Sequence, residues 1–416
     1  MNRYPGIKFI FIYLIVSQLI AGCTIQPAEQ SEADVLKEHV EWLAHDDRLG
    51  RLSGSFGEAD AANYISDYFA QTGLEPLGRA GTYLQQFNLT GEISEAMGVM
   101  NNRSRNVLGA IRGDEFPGRY IVVGAHYDGQ GTGEIISMNT EGTNVIHPSA
   151  DDNASGTAVM MLLAERFSAE PTQVTILFAA FSGEEQGMLG SKHFTKEFLD
   201  GNVSAFGMIN LDMVGRMMEN EVNIYGTESG NRWSDILSRI NTDSLDVEIV
   251  SSRLGSSDHV SFHDAGVPAI HYHTGMHDDY HTDRDTAEKL NYTGMIKVAD
   301  HAEKLIRELA REDPEAFKFR QMNRRPNPVI EPGTPTLGVL PDYMFRGNGM
   351  RIDEVTSGDR ADLAGLQAGD IIKSLNGMTV TNIFDYMNAL ESISENDSVE
   401  VEYQRNEQIS AVNIPF

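Results

Sequence analysis

Five groups of residues that could ligate a metal recur along the chain. They are His126-Tyr127-Asp128, Asp151-Asp152-Asn153, Ser182-Gly183-Glu184-Glu185, Asp212 and Asp279-Tyr280-His281. Imidazole nitrogen and carboxylate oxygen, with no thiolate, form a donor set for borderline or hard divalent cations. Taken singly, each group has an ordinary explanation. A histidine after a strand is usually a satisfied structural residue, an acidic pair is usually solvated, and Asp151-Asp152 alone reads as a helix cap. Position sets them apart. Four follow a short, β-branched apolar run, and the fifth stands at the start of a helical stretch. Carboxylates gathered in one cleft repel one another unless cations neutralise them.

The elements that must position these groups alternate between helix and strand. The apolar runs 120–125, 174–181, 206–211 and 267–272 suit strands buried on both faces. Residues 58–72 place Ala61, Ile65, Tyr68 and Phe69 on one helical face, and Gly73 fits a C-cap. Further helices are expected over 155–168 and 286–311, the second ended by Pro314. This is an α/β pattern with a largely buried sheet, and ligands gather at the carboxyl ends of strands in such sheets.

The segments GAHYDG, ADDNASG, SGEEQGMLGS, NLDMVGR and DYHTDRDT resemble, in order, the motifs of the bacterial two-zinc aminopeptidases. The resemblance covers roughly residues 36 to 312. It implies a mixed, mostly parallel sheet sandwiched by helices. It also implies two Zn(2+) ions, for which Co or Mn could substitute. Asp151 would bridge the ions, His126 and Asp212 would complete one site, and Glu185 and His281 the other. The Asp151–Asp152 peptide would be cis. Two cations about 3.5–4 Å apart would activate a bridging water and polarise the scissile carbonyl of a peptide. Glu184 would act as general base, Asp128 would orient His126, and Tyr280 would donate to the developing oxyanion.

Other readings stay open. His277 is the alternative ligand to His281, whereas His271 and His273 read as structural or cleft-lining. Ser257-Asp258-His259 has the residue types of a serine-hydrolase triad, but triads are assembled from distant segments. The polar stretch 130–149 could be a lid or a passive loop. On the same scaffold, a carboxypeptidase would need a cation such as Arg216 or Arg253 for the substrate carboxylate. A glutaminyl cyclase would need one metal, and a non-catalytic, PDZ-bearing receptor would be expected to lose ligands. A two-metal phosphoesterase lacks support, since no Gly-rich phosphate loop with a Lys is present.

The rest of the chain sets the context. At 416 residues, two or three folding units are expected. A formal charge of −29 disfavours nucleic-acid partners. Arg3 and Lys8, an apolar run over 9–20, and Leu19-Ile20-Ala21-Gly22-Cys23 resemble a bacterial lipobox. That implies a leader over 1–22, acylation of Cys23 and a polar tether over 23–34. An ordinary signal peptide is the alternative. Thr24 favours the outer membrane of a cell envelope, on its periplasmic side. Residues 35–314 are expected to form the peptidase-like domain, and the Pro-rich 315–336 a linker. Residues 337–416 resemble a PDZ domain through Leu337-Gly338-Val339-Leu340 and ADLAGLQAGDIIKSLNG. The resemblance implies capture of an extended peptide at a sheet edge, with Gly338, Val339 and Leu340 supplying the loop amides.

Overall fold

The computed structural model describes residues 30–91, 94–95, 98–133, 137, 144–199, 204–240, 245–250, 257–322, 336–341, 345, 348–355, 358–381, 383–394, 398–406 and 408–416. The leader, Cys23 and most of the tether lie outside the described residues, as do 134–136 and 138–143 of the 130–149 stretch and Arg253.

The described residues begin with α1 (Glu32–Leu43) and α2 (Phe56–Thr72). Ser55 caps α2 by accepting from the Glu58 amide, and Gly73 ends it in the left-handed region, φ 83°. Strands β1 (Glu75–Pro76), β2 (Leu84–Asn88), β3 (Arg103–Ile111) and β4 (Phe116–His126) follow. Then come α3 (Gly156–Ala169), β5 (Val174–Phe181), α4 (Leu189–Phe194), β6 (Ser204–Leu211) and β7 (Glu221–Tyr225). The domain closes with α5 (Trp233–Ile240), β8 (Asp246–Val250), α6 (His259–Asp264), β9 (Ala269–His273) and α7 (Tyr292–Ala310).

Among the described residues these strands form one sheet in the order β1-β3-β5-β4-β6-β9-β7-β8, with β2 paired on β3. Strands β5, β4, β6 and β9 are parallel, whereas β3 runs against β5 and β7 against β9, with β8 parallel to β7. The sheet is therefore mixed and parallel at its centre, as the family resemblance implied. Alternation along β4 shows how both faces are covered. Ile121, Val123 and Ala125 enter the core beneath α1, α2, α3 and α7, while Val122 joins Phe181, Phe194 and Phe262 beneath α4 and α6. Each fully buried Phe contributes about 1.5–3 kcal/mol.

Two boundaries differ from the sequence reading. The helix expected from residue 286 starts at Tyr292, because Asn291 caps it through the Gly294 amide while its own amide donates to the Gly215 carbonyl. The linker expected from 315 starts later. Phe317 packs edge-on against Trp233, Phe319 bridges to Gly230, and Met322 is buried against Val260.

The C-terminal residues form a second sheet in the order β10-β11-β12-β14-β15. These strands are β10 (Val339–Pro341), β11 (Met350–Val355), β12 (Ile371–Leu375), β14 (Ser398–Arg405) and β15 (Gln408–Pro415), with β13 (Met378–Thr379) on β12. Helices α8 (Arg360–Leu363) and α9 (Ile383–Glu391) complete the unit. It has its own core, which includes Leu337, Ile352, Ile372, Val399, Val401 and Ile414.

The segment after α7 makes a stability test. Phe317→Ala is expected to destabilise the N-terminal sheet domain by about 3–5 kcal/mol, as buried Phe truncations do. Denaturant unfolding followed through Trp233 fluorescence measures it. A loss under about 1 kcal/mol would return the segment to the linker.

Candidate metal centre

Register brings the carboxyl ends of four strands to one edge. His126 at the end of β4 lies beside Phe181 of β5, Gly124 beside Asn210 of β6, and Leu211 beside Tyr272 of β9. The residues that follow each strand therefore meet. The segment before α3 is tied to the same edge. Thr157 donates to the His126 carbonyl at 2.8 Å and Asn153 Nδ2 to the Leu211 carbonyl at 2.9 Å. Gly156 is required for this approach, since a Cβ there would sit 2.2 Å from the Leu211 oxygen.

At the junction lie two clusters that share one carboxylate, His126–Asp152–Asp212 and Asp152–Glu185–His281. Asp152 Oδ1 is 3.2 Å from His126 Nε2, and Oδ2 is 3.1 Å from His281 Nε2. Asp212 Oδ1 is 3.3 Å from His126 Nε2, and Glu185 Oε2 is 3.5 Å from His281 Nε2. The structure thus brings His126 and Asp212 together, and Glu185 together with His281. The shared carboxylate belongs to Asp152 and not to Asp151, and the cis peptide is Asp152–Asn153 and not Asp151–Asp152. Adjacent residues aim in different directions, and the Asp151 carboxylate is already occupied. It accepts from the Gly215 amide at 2.7 Å and lies 3.1 Å from His277 Nε2. His277 is thereby taken up by Asp151 and stands in neither cluster.

Neighbouring residues hold this arrangement. Asp128 is fully buried. Its Oδ1 lies 3.6 Å from His126 Nδ1 and accepts from the Glu184 amide at 3.3 Å. Asp285 was not singled out from the sequence, yet its carboxylate accepts from the backbone amides of both Asp151 and Asp152. Arg51, also missed, is fully buried and donates to the carbonyls of Leu43, Tyr127, Pro148 and Ser149. The only sequence signals for these two were an Asp at the end of DYHTDRDT and an Arg-Leu repeat before α2. Tyr280 stacks on the His281 ring with centroids 3.8 Å apart. His271 stacks on His259 and accepts at Nδ1 from Asn210, a structural environment. Ser257 accepts from Asn210 and His259 faces His271, so Ser257, Asp258 and His259 do not form a nucleophilic triad. Arg216 is engaged by Asp279 at 3.1 Å, which Lys289 and Arg284 also meet. Arg216, Asp279 and Lys289 border a cavity of about 390 Å³ that also touches His277.

The electrostatics are those of a crowded anionic pocket. Burial, reinforced by neighbouring carboxylates, pushes both Glu184 and Glu185 well above the usual carboxylate range, although His126 opposes it. Burial raises Asp258 to about 7, with Asp128 and Asp212 adding to the shift, and burial with Asp151 raises Asp285 to about 7. Burial also acts on Asp152, but His126 and His281 outweigh it and hold that carboxylate low. For His126, burial favours the neutral ring, yet the surrounding aspartates raise its pKa well above the ordinary value. Asp212 Oδ1 and both Asp258 oxygens are buried without a hydrogen-bond partner. Opposed imidazole and carboxylate donors with a lone pair left over fit divalent cations.

Fold and site together define an α/β protein with paired metal-ligand clusters at the carboxyl edge of its sheet. Residues 106–306 match Peptidase family M28 and residues 323–416 match the PDZ domain; the chain carries an M28 peptidase domain followed by a C-terminal PDZ domain. A probable zinc metalloprotease of Pyrenophora teres is 40% identical over 109 residues, covering 26% of this chain and 22% of the relative. Aminopeptidase YwaD of Bacillus subtilis is 29% identical over 248 residues, 56% of this chain and 50% of the relative. The chain thus spans half or less of the length of these relatives. Among solved structures, the LapA aminopeptidase of Legionella pneumophila superposes with a TM-score of 0.53 at 20% identity, covering 67% of this chain and 72% of that one. A glutaminyl cyclase of Bacteroides thetaiotaomicron superposes at 0.55 and 17%, covering 68% and 99%. The fold alone therefore does not choose the reaction.

Metal analysis distinguishes the two aspartates. Asp152→Asn is expected to remove most of the bound divalent metal, whereas Asp151→Asn retains it. Elemental analysis of both purified variants beside the parent checks this, and the reverse order would return the bridge to Asp151.

Proposed function

We propose that this chain is a two-zinc aminopeptidase, removing residues from the N-termini of peptides. The observation that carries the reading is Asp152, whose two oxygens each face a separate histidine–carboxylate cluster. A single shared carboxylate between two donor sets is what a two-ion centre needs, and it favours this reading over a one-metal cyclase. Against a carboxypeptidase stands Arg216, already engaged by Asp279.

His126 and Asp212 would hold one ion, Glu185 and His281 the other, with Asp152 between them. When bound, the ions supply Lewis acidity, lowering the pKa of a water and polarising a carbonyl. The chain's own residues do the rest. Glu184 stands beside a ligand but in neither cluster, so its carboxylate is free to take the proton of the attacking water and return it to the departing amine. Asp128 keeps the His126 ring oriented with Nε2 toward the ion. Tyr280, which stacks on His281, would donate to the oxyanion.

Outside the catalytic domain, the PDZ domain would add a second peptide-binding edge through Gly338, Val339 and Leu340. Acylation at Cys23 would tether the protein to a bacterial envelope membrane, with the outer membrane favoured. Relatives named as zinc proteases support zinc as the metal, and the all N/O donor set also admits Co or Mn.

The reading is tested with free and N-acetylated peptides on parent and Glu184→Gln. Free N-termini should be cleaved and acetylated ones spared. Glu184→Gln should lose about 10²–10⁴-fold in kcat with its metal retained, the range for general acid–base catalysis. Equal cleavage of acetylated peptides would move the enzyme to endo- or carboxypeptidase chemistry. Ring closure of N-terminal glutamine in place of hydrolysis would make it a cyclase.

A further inference from the structure

Behind the His126–Asp128 pair runs a line of buried polar side chains that the proposed chemistry leaves unused. Ser53 Oγ donates to Asp128 Oδ2 at 2.9 Å and lies 2.9 Å from Ser182 Oγ. Ser182 Oγ is 2.8 Å from Ser104 Oγ, and Ser104 Oγ is 3.3 Å from Glu58 Oε1. The Tyr127 hydroxyl sits 2.5 Å from both Glu58 Oε1 and the Arg105 carbonyl. Glu58, Ser104, Ser182, Ser53 and Asp128 are all fully buried. They come from the first turn of α2, from β3, from the residue after β5, from the loop before α2 and from the second residue after β4. No stretch of sequence holds them together; only the fold does.

We infer that Glu58, Ser104, Ser182 and Ser53 form a proton-bearing relay that positions Asp128, and through it His126. The inference rests on the metal-centre reading only in taking His126 as a ligand. Its argument is one of proton supply. Each hydroxyl has one proton to donate. Ser53 gives its proton to Asp128, so the Ser53–Ser182 contact must use the proton of Ser182. The Ser182–Ser104 contact must then use that of Ser104, which leaves none for the Ser104–Glu58 contact. Tyr127 likewise has one proton for two acceptors. If Glu58 is ionised, one oxygen pair in the serine line faces lone pair to lone pair. A proton on Glu58 fills that gap, and every donor from Glu58 to Ser53 then points toward Asp128. Hydrogen bonds aligned head to tail polarise one another. The aligned line fixes Asp128 beside His126 Nδ1, 3.6 Å away, which keeps Nε2 directed at Asp152 and Asp212.

Besides Ser104, whose hydroxyl within reach of Oε1 also favours the ionised form, three groups bear on the Glu58 proton. Arg105 Nη2 lies 3.4 Å from Oε2 and favours the ionised form, Tyr127 donates to Oε1, and Asp128 opposes ionisation from the far end. Burial outweighs the first two and lifts Glu58 to about 7.

Ser182→Ala cuts the relay midway without touching Glu58 or Asp128 and removes a single oxygen. In the full chain, zinc affinity is measured by chelator competition, and folding by circular dichroism. The variant is expected to fold like the parent and to hold zinc about tenfold less tightly, the lower end of what partners of metal ligands contribute. Glu58→Gln, which can still donate to Ser104, should preserve affinity, whereas Glu58→Leu should not. A purely structural role would make Gln and Leu alike and would show first in folding. The second readout needs no metal. Infrared difference spectra of chelated protein should contain a neutral-carboxyl carbonyl band that vanishes in Glu58→Gln and moves in Ser182→Ala. Parental zinc affinity in Ser182→Ala, or absence of that band, overturns the relay. Failure of the parent itself to bind zinc would instead overturn the metal-centre reading, and the infrared band would still decide the relay.

Discussion

Mutual repulsion of buried carboxylates is the constraint on which the peptidase domain is built. Asp128, Asp151, Asp152, Asp212, Asp258 and Asp285 are all buried at one edge of the sheet, with Glu184 and Glu185 beside them. Two unit charges 4 Å apart interact by about 4 kcal/mol at an effective dielectric of 20. Such a group persists only if the surrounding structure fixes it or opposite charge neutralises it. The domain does the first, and the donor geometry fits cations that would do the second.

The fixing comes from backbone groups and neutral side chains more than from ion pairs. Asn153 and Thr157 fasten the loop before α3 to β6 and β4. Asp285 gathers the amides of Asp151 and Asp152, so one carboxylate orients the segment that carries two others. Arg51 is close enough for its charge to be felt by Asp128, Asp285, Asp152 and Glu185, and burial brings its pKa down only to about 10. Its guanidinium, however, is spent on carbonyl oxygens. It therefore splints the strand end carrying His126 to the loop carrying Asp152, and it leaves the carboxylates of the two clusters without a direct guanidinium partner.

Strand positions and most ligands were legible because they leave local patterns. A β-branched run of five to eight residues marks a buried strand, and a parallel sheet puts whatever follows each run at one edge. That logic located the groups that carry His126, Glu185, Asp212 and His281, and the family resemblance singled out those residues within them. It could not separate Asp151 from Asp152, since both sit in the same loop with the same chemistry. What separates them is which carboxylate meets the Gly215 amide, a contact 64 residues away in sequence. Asp285, Arg51, Glu58 and the three serines were illegible for the same reason, because their partners lie on other elements. The start of α7 and the end of the peptidase domain were misjudged because composition outweighed packing. A charged stretch near prolines reads as a linker even when Phe317 and Met322 are buried.

The proton inventory of the pocket extends this logic. Glu184, Glu185, Asp258 and Asp285 all favour the protonated form more than free carboxyls do, each with burial as the leading cause. In the absence of cations, protons thus do part of the neutralising. An ion entering the centre displaces protons from the carboxylates it reaches, because a ligand oxygen serves a metal only when ionised. Metal affinity is therefore coupled to pH, and protons compete increasingly as pH falls. Glu184 differs from the others in one respect that matters for its proposed role. It feels His126 and Asp212 as Glu185 does, yet lies outside both ligand clusters. A carboxyl with a raised proton affinity that is not consumed as a ligand is suited to accept a proton and give it back, which is what a general base beside a metal centre must do.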